Sequence, residues 1–279
     1  MKLYNLHTHS TYCDGKEPLE DMVKAAIEQG FDTLGLTSHS PLPFDTYFSI
    51  KENKLKEYVQ EIDQLKEKYK GQIRLLRSLE LEYVPGLSPE FAQLKEQVKM
   101  DYTLGSIHLI KAPNEELWFI DGPKQETYDE GLKNFFGGDI KKAVQTYYHQ
   151  LNDMIETQNP EIIGHFDKIK MHNQNRFFTE DEKWYKDLVV ESLDLMKEKG
   201  SIIEFNTRGW YKKKTTDLFP GKKWMPIIRE MKIPVIISSD AHHSSELSLY
   251  IDETRQLLID NSFKAVMYPV NGDWVEMAL

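Results

Sequence analysis

Short apolar runs alternate with longer amphipathic stretches along most of the chain. The runs lie at 3–6, 33–37, 73–79, 102–107, 162–164, 202–205 and 235–238 and are rich in Ile, Leu and Val. They are continuous rather than alternating, which is the pattern of strands buried on both faces in a parallel sheet. Between them, apolar residues recur at helical spacing. Residues 18–29 place Leu19, Met22, Val23 and Ala26 on one face and stop before Gly30, a suitable C-cap. Residues 55–69 carry a stripe of Leu55, Tyr58, Val59, Ile62, Leu65 and Tyr69, with Lys and Glu elsewhere. Further helices are expected at 89–98, 140–157, 180–199, 226–231 and 246–260. Strand–helix alternation repeated about seven times predicts an α/β fold, either a (β/α) barrel or a doubly wound sheet. No repeat, low-complexity tract or Pro/Gly/Ser-rich linker divides the chain, so residues 1–279 are expected to form one domain. The segment 111–138 breaks the cadence and reads as a long insertion loop rich in acids and aromatics, and loops of that length are often functional.

Of the 279 residues 40% are hydrophobic and 29% charged, enough to build a sizeable core. Acidic residues number 45 against 35 basic ones, a net charge of −10. That balance argues against non-specific binding to nucleic acid or an anionic membrane. An anionic substrate would need positive charge supplied locally, by a metal or a few Arg and Lys. One cysteine, Cys13, excludes an internal disulfide framework and fits a reducing compartment. The first residues turn polar too soon for a signal peptide, and no apolar stretch nears the ~20 residues that span a membrane. A cytoplasmic protein acting on a small molecule is expected.

The histidines follow the apolar runs. His7 and His9 come after the first, His39 after the second, His108 after the fourth, His165 after the fifth and His242 after the last. Glu80 closes the third run, Glu204 lies at the end of the sixth, and Asp240 precedes His242. In parallel α/β folds the C-terminal strand ends converge on the active-site face. Imidazole and carboxylate together are ligands of zinc, manganese and iron. Residues i and i+2 of a strand point the same way, so His7/His9 and Asp240/His242 can each present two ligands together. His149, His172 and His243 read as ordinary polar residues.

These residues fall into ordered motifs. They are His7-Thr8-His9-Ser10 with Cys13-Asp14-Gly15, Thr37-Ser38-His39, Ser78-Leu79-Glu80-Leu81-Glu82, Leu104-Gly105-Ser106-Ile107-His108, Gly164-His165-Phe166-Asp167 and Ser239-Asp240-Ala241-His242. The set resembles the PHP (polymerase and histidinol phosphatase) superfamily over residues 3–243. Gly105-Ser106-Ile107-His108, Phe119-Ile120-Asp121 and Glu204-Phe205-Asn206-Thr207-Arg208-Gly209 are most similar to its monofunctional histidinol-phosphate phosphatases. Ser38 and Ser78 depart from the residues common in the family, and neither is a ligand position. The resemblance implies a distorted (β/α)7 barrel holding two or three divalent ions, Zn, Mn or Fe, at the C-terminal strand ends. Its implied ligands are His7, His9, Asp14, His39, Glu80, His108, His165, Asp240 and His242, with Glu80 bridging. Asp14 has an alternative reading as the turn residue of Asp14-Gly15.

Such a cluster would activate water, clamp the phosphoryl oxygens and stabilise the leaving oxygen, with Glu80, Asp240 and His242 as the catalytic residues. Arg208 and Arg176 are expected to bind phosphate, because a guanidinium offers a planar fork. Lys212-Lys213-Lys214 reads as a solvated loop. Glu204, Asn206 and Asp167 are candidates to orient ligand imidazoles. Asp121 and Trp118 are candidates for holding a cationic, imidazole-bearing substrate. The resulting expectation is hydrolysis of L-histidinol phosphate in histidine biosynthesis. Three alternatives stay open: a phosphoesterase acting on another small ester, phosphotyrosine or a nucleotide; a metal-dependent amidohydrolase; and a non-catalytic PHP domain.

Overall fold

The computed structural model describes residues 2–279. β1 (Tyr4–Asn5) is followed by α1 (Leu19–Glu28), and β2 (Thr33–Leu36) by α2 (Leu55–Lys68). β3 (Arg74–Arg77) resumes after a short break as β4 (Glu80–Glu82), and α3 (Phe91–Val98) follows. β5 (Leu104–Ser106) enters a hairpin of β6 (Leu109–Lys111) and β7 (Leu117–Phe119), then α4 (Gln125–Phe136) and α5 (Ile140–Thr157). The alternation continues with β8 (Ile162–Ile163), α6 (Lys183–Lys199), β9 (Ile202–Asn206), α7 (Arg208–Tyr211), α8 (Met225–Met231), β10 (Val235–Ser238) and α9 (Ile251–Asp260). A second hairpin, β11 (Ala265–Val270) and β12 (Asp273–Ala278), ends the chain.

Parallel pairing runs β1–β2–β3 in one arc and β4–β5–β8–β9–β10 in another. Parallel bridges join the arcs at both seams, His39 with Glu80 and Thr8 with Ala241. The second seam is tied by His9 N–H to Ala241 O (2.8 Å) and by Ala241 N–H to His7 O (3.2 Å). The strands thus form a ring in which β3 and β4 share one position.

The helices pack their predicted faces on the ring. Leu19, Met22, Val23 and Ala26 of α1 and Leu55, Tyr58, Ile62 and Leu65 of α2 are buried. Each such aliphatic side chain contributes roughly 1.5–3 kcal/mol by leaving water. The Tyr58 hydroxyl adds a polar tie, lying 2.8 Å from Leu36 O and 3.0 Å from Ser78 O. Tyr102 reaches across the ring to Leu6 O (2.6 Å), and a Cβ at Gly35 would stand 2.0 Å from its hydroxyl.

Three features differ from expectation. Segment 111–138 is not an irregular loop: it completes the β6–β7 hairpin that starts at Leu109 and holds α4, because its aromatics pack among themselves. The final hairpin, paired antiparallel from Ala265↔Ala278 to Val270↔Asp273, was not anticipated. The last helix also starts later than expected, at Ile251 after a short 3-10 turn at Ser244–Glu246.

Candidate metal centre and its cavity

The strand ends bring the polar residues of six motifs together. Glu80 sits in the middle. Its Oε2 lies 3.1 Å from His7 Nε2, 3.4 Å from His9 Nε2 and 3.0 Å from His39 Nδ1. Its Oε1 lies 2.8 Å from His165 Nε2 and 3.5 Å from His108 Nε2. Asp240 Oδ1 is 3.2 Å from His9 Nε2, and Asp14 Oδ1 is 3.1 Å from His242 Nε2 and 3.7 Å from His39 Nε2. All are buried except Asp14, whose side chain is 26% exposed. His165 (φ +25°) and Asp240 (φ +52°) adopt left-handed backbone, a strain that clusters at functional sites.

Among the described residues, seven buried atoms of this cluster make no aligned hydrogen bond, although several crowd one another at 3.0–3.4 Å: His7 Nε2, His9 Nε2, Asp14 Oδ1, His39 Nδ1, Glu80 Oε2, His165 Nδ1 and Asp240 Oδ1. Leaving one such group unpaired costs about 1–3 kcal/mol, so seven in one place call for cations. Ligand atoms lie within 4.8 Å of one another in four overlapping groups: His7/His9/Asp240, His7/Glu80/His165, His39/Glu80/His108 and His9/Asp14/His39/His242. This donor set fits borderline divalent ions. The charges are mutually supportive. Burial opposes ionisation of Glu80 and Asp240, yet His7 and neighbouring cationic groups hold both well below the usual carboxylate range. Burial, with His242 and His39 alongside, holds His9 well below its ordinary value, which keeps the imidazole neutral and free to donate a lone pair.

Carboxylates behind the cluster fix the ring orientations. Glu204 Oε1 is 2.6 Å from His7 Nδ1, while its Oε2 accepts the His165 N–H at 2.9 Å. Asn206 Nδ2 donates to Glu204 (3.1 Å) and to Asp240 Oδ2 (3.2 Å). Glu82 holds His108 in the same way: Oε2 is 2.6 Å from Nδ1, and Oε1 accepts the N–H groups of His108 and Leu109 at 2.8 Å. Sequence reasoning gave Glu82 no role, although strand alternation places it on the same side as Glu80. Asp167 does not orient His165. It pairs with Lys170 (2.7 Å) and accepts the Gly221 N–H (2.9 Å), and burial pushes its carboxyl up to about 7.

A cavity of about 490 Å³ opens over the cluster. His39, His108, His242 and Asp14 face it from the metal side. Tyr47, Phe48 and Phe119 form an aromatic wall, with Phe48 and Phe119 stacked at 5.2 Å. Asp121, Arg208, Lys214 and Lys16 add to its charge. Arg208 Nη1 donates to Asp240 O (2.8 Å), which aims the guanidinium toward the cluster.

Two expected substrate residues lie elsewhere. Trp118 is 1% exposed and packs against Tyr128 (4.8 Å) and Phe136 (5.6 Å), so it is core rather than cavity wall. Arg176 is bound through both terminal nitrogens to Asp129 (2.7 Å each), ties its loop to α4, and does not line the cavity. Lys214, read as part of a solvated run, lines the cavity instead. Lys168, which sequence reasoning passed over, is a fully buried lysine 3.0 Å from Asp121. The sequence pattern gives no sign of Tyr47 and Phe48, whose rings meet edge to face at 5.7 Å beside the cavity.

Residues 5–208 match the PHP domain. The histidinol-phosphatase of Bacillus subtilis is 23% identical over 256 residues, 86% of this chain and 94% of that protein. HisK from Listeria monocytogenes superposes with a TM-score of 0.79 at 24% identity, over 90% of this chain and 99% of that one. Histidinol phosphate phosphatase (HisK) from Lactococcus lactis, solved with zinc, L-histidinol and phosphate, superposes with a TM-score of 0.67 at 19% identity, over 98% of this chain and 99% of that one. The two superpositions show a shared fold.

Proposed function

The chain belongs to the PHP domain family, and from that premise we propose that it is a metal-dependent phosphomonoesterase converting L-histidinol phosphate to L-histidinol and inorganic phosphate. The observation that carries this reading is the set of seven unpaired buried donor atoms beneath a cavity that also presents Arg208 and Lys214. The substrate follows the relatives: a histidinol-phosphatase covers most of this chain, and the Lactococcus lactis HisK holds zinc, L-histidinol and phosphate.

His7, His9, Asp14, His39, Glu80, His108, His165, Asp240 and His242 would hold two or three ions, with zinc, manganese and iron all compatible with the donors. Such ions supply Lewis acidity, which acidifies water and offsets negative charge on the phosphoryl oxygens. Glu80 belongs to two of the four donor groups and would link two ions. Glu204 and Glu82 keep His7 and His108 turned inward, so the donors are set before substrate arrives. Arg208 and Lys214 face the cavity where the outer phosphoryl oxygens would lie, and charge builds on those oxygens in the transition state. The stacked Phe48 and Phe119 make an apolar wall, and Tyr47 at its exposed rim adds a further ring for an imidazole to meet.

The acidic chain makes a small ester a better substrate than a nucleic acid. Among the described residues no helix is long and apolar enough to cross a membrane. The lone Cys13 fits a reducing compartment, and the cytoplasm is the one we propose. The test is phosphate release by protein stripped with chelator and reloaded with Zn²⁺, Mn²⁺ or Fe²⁺. The panel is L-histidinol phosphate, phosphotyrosine, a nucleoside monophosphate and p-nitrophenyl phosphate. A kcat/KM for L-histidinol phosphate about a hundredfold above the others, lost on chelation, is expected, since a site that pairs a substrate's polar groups discriminates at least that strongly. Even, weak turnover of all four would refute the substrate.

A further inference from the structure

The charged side of the cavity holds more than a phosphate needs. Asp121 presents its two oxygens to two different lysines. Oδ2 lies 3.0 Å from Lys168 Nζ, and Oδ1 lies 3.7 Å from Lys214 Nζ. The two lysines are not equivalent. Lys168 has a side chain only 2% exposed, sits also 3.9 Å from Asp240 Oδ2, and is fixed. Lys214 has a side chain 29% exposed and follows α7 on an irregular segment. At 3.7 Å its contact with Asp121 is a charge pairing beyond hydrogen-bond range, and such half-exposed pairs open readily. Asp121, Lys214 and Arg208 all face the same space.

We infer that substrate is recognised by exchange of ion pairs: the Lys214–Asp121 contact of the free enzyme opens, Lys214 turns to the substrate's phosphate, and Asp121 Oδ1 takes its ammonium group. The inference rests on the proposed substrate class, a phosphate ester that also carries an amine. The exchange conserves charge, one cation and one anion replacing another such pair. Lys168 makes it feasible, because it keeps Oδ2 paired while Oδ1 is handed over, so Asp121 is never a bare carboxylate in a buried wall. An ester lacking the amine draws Lys214 away and leaves Oδ1 without a partner. Asp121 thereby selects for amphoteric esters, and it selects by penalising the wrong ligand as much as by attracting the right one.

The experiment uses metal-loaded wild type, Asp121→Asn, Lys214→Met and Lys214→Arg. The two esters are L-histidinol phosphate and the same ester with hydrogen in place of the amine. Inorganic phosphate is measured separately as an inhibitor of p-nitrophenyl phosphate hydrolysis. In Asp121→Asn the preference for the amine-bearing ester should shrink by about tenfold or more, the scale of losing a hydrogen bond to a charged group, and mainly through KM. The same variant should bind inorganic phosphate about threefold more tightly, because the competing carboxylate is gone. Lys214→Met should lower kcat/KM for both esters by similar factors and weaken phosphate inhibition, and Lys214→Arg should restore it. An unchanged preference in Asp121→Asn, or weaker phosphate inhibition in both neutralised variants, overturns the exchange. If wild type turns over neither ester but hydrolyses p-nitrophenyl phosphate, the substrate assignment has failed. The exchange then stands or falls on whether the two variants shift phosphate inhibition in opposite directions.

Discussion

Glu82 touches no expected ligand atom of an ion, yet it decides where His108 points. One oxygen faces Nδ1 of the ring and the other gathers the N–H groups of His108 and Leu109. Glu82→Gln keeps the shape but loses the charge that favours the required tautomer. Metal affinity should fall about 10- to 100-fold, read by competition with a chromophoric chelator, with the fold intact. Unaltered affinity would show that backbone alone holds the ring. Apart from Asp14, which sits in the loop before α1, the expected ligands were legible as a cluster, since each follows an apolar run and a strand end fixes where it must go. Trp118 and Arg176 depart from expectation for one shared reason: their partners belong to α4, whose docking surface the linear pattern does not give. Asp129 lies 47 residues from Arg176, and nothing in the linear pattern says which surface α4 covers. An exposed pair of this kind contributes at most about 1 kcal/mol, so Arg176→Ala should leave kcat/KM within about threefold of wild type. A loss of tenfold or more would return Arg176 to the phosphate.

At the scale of elements, the β6–β7 hairpin and α4 form a small unit that carries one wall of the cavity. Strand alternation puts Trp118 inward against α4 and leaves Phe119 and Leu117 on the other face. Phe119 then stacks on Phe48 and lines the cavity. The indole fits because residue 131 is glycine: a Cβ there would stand 2.1 Å from Trp118 Nε1. Trp118→Ala should cost about 3–5 kcal/mol of stability through the cavity it leaves. Its kinetic effect should fall on KM, since the wall loosens while the metal ligands stay. Thermal unfolding with steady-state kinetics checks both, and a pure kcat loss would contradict the assignment. The linear pattern predicts a loop here because three-residue strands give too short a periodic signal. The final hairpin had a clearer mark that went unused. Asn271-Gly272, at φ +51° and +90°, is a turn pair suited to two-residue hairpins. Its second strand, with Asp273 and Glu276, is too polar to announce itself as an apolar run.

For the whole molecule, the centre lies on the seams of the ring. His7 and His9 follow β1, Asp240 and His242 follow β10, and the Thr8–Ala241 bridge joins these ends across nearly the whole chain. His39 and Glu80 form the other seam bridge. The ring therefore closes through residues whose side chains crowd carboxylates and imidazoles, with seven donor atoms left unpaired. Ions bound there would cross-link both seams and stabilise the folded state by mass action, about 4 kcal/mol at a thousandfold excess over Kd. Chelation should lower the melting temperature, and the loss should be local before it is global. Among the seam amides, His9 N–H bonds Ala241 O, Lys16 N–H bonds His242 O and Ala241 N–H bonds His7 O. The helix α5 buries Tyr147, Tyr148, Leu151 and Met154, and none of the expected ligands lies on it. Hydrogen exchange after chelation should speed up at His9, Lys16 and Ala241 well before the amides of α5 respond. Equal acceleration in both places would mean that the ions stabilise the fold as one cooperative unit. No acceleration anywhere would mean that the strands close without them, and that the unpaired donors are satisfied by something other than metal.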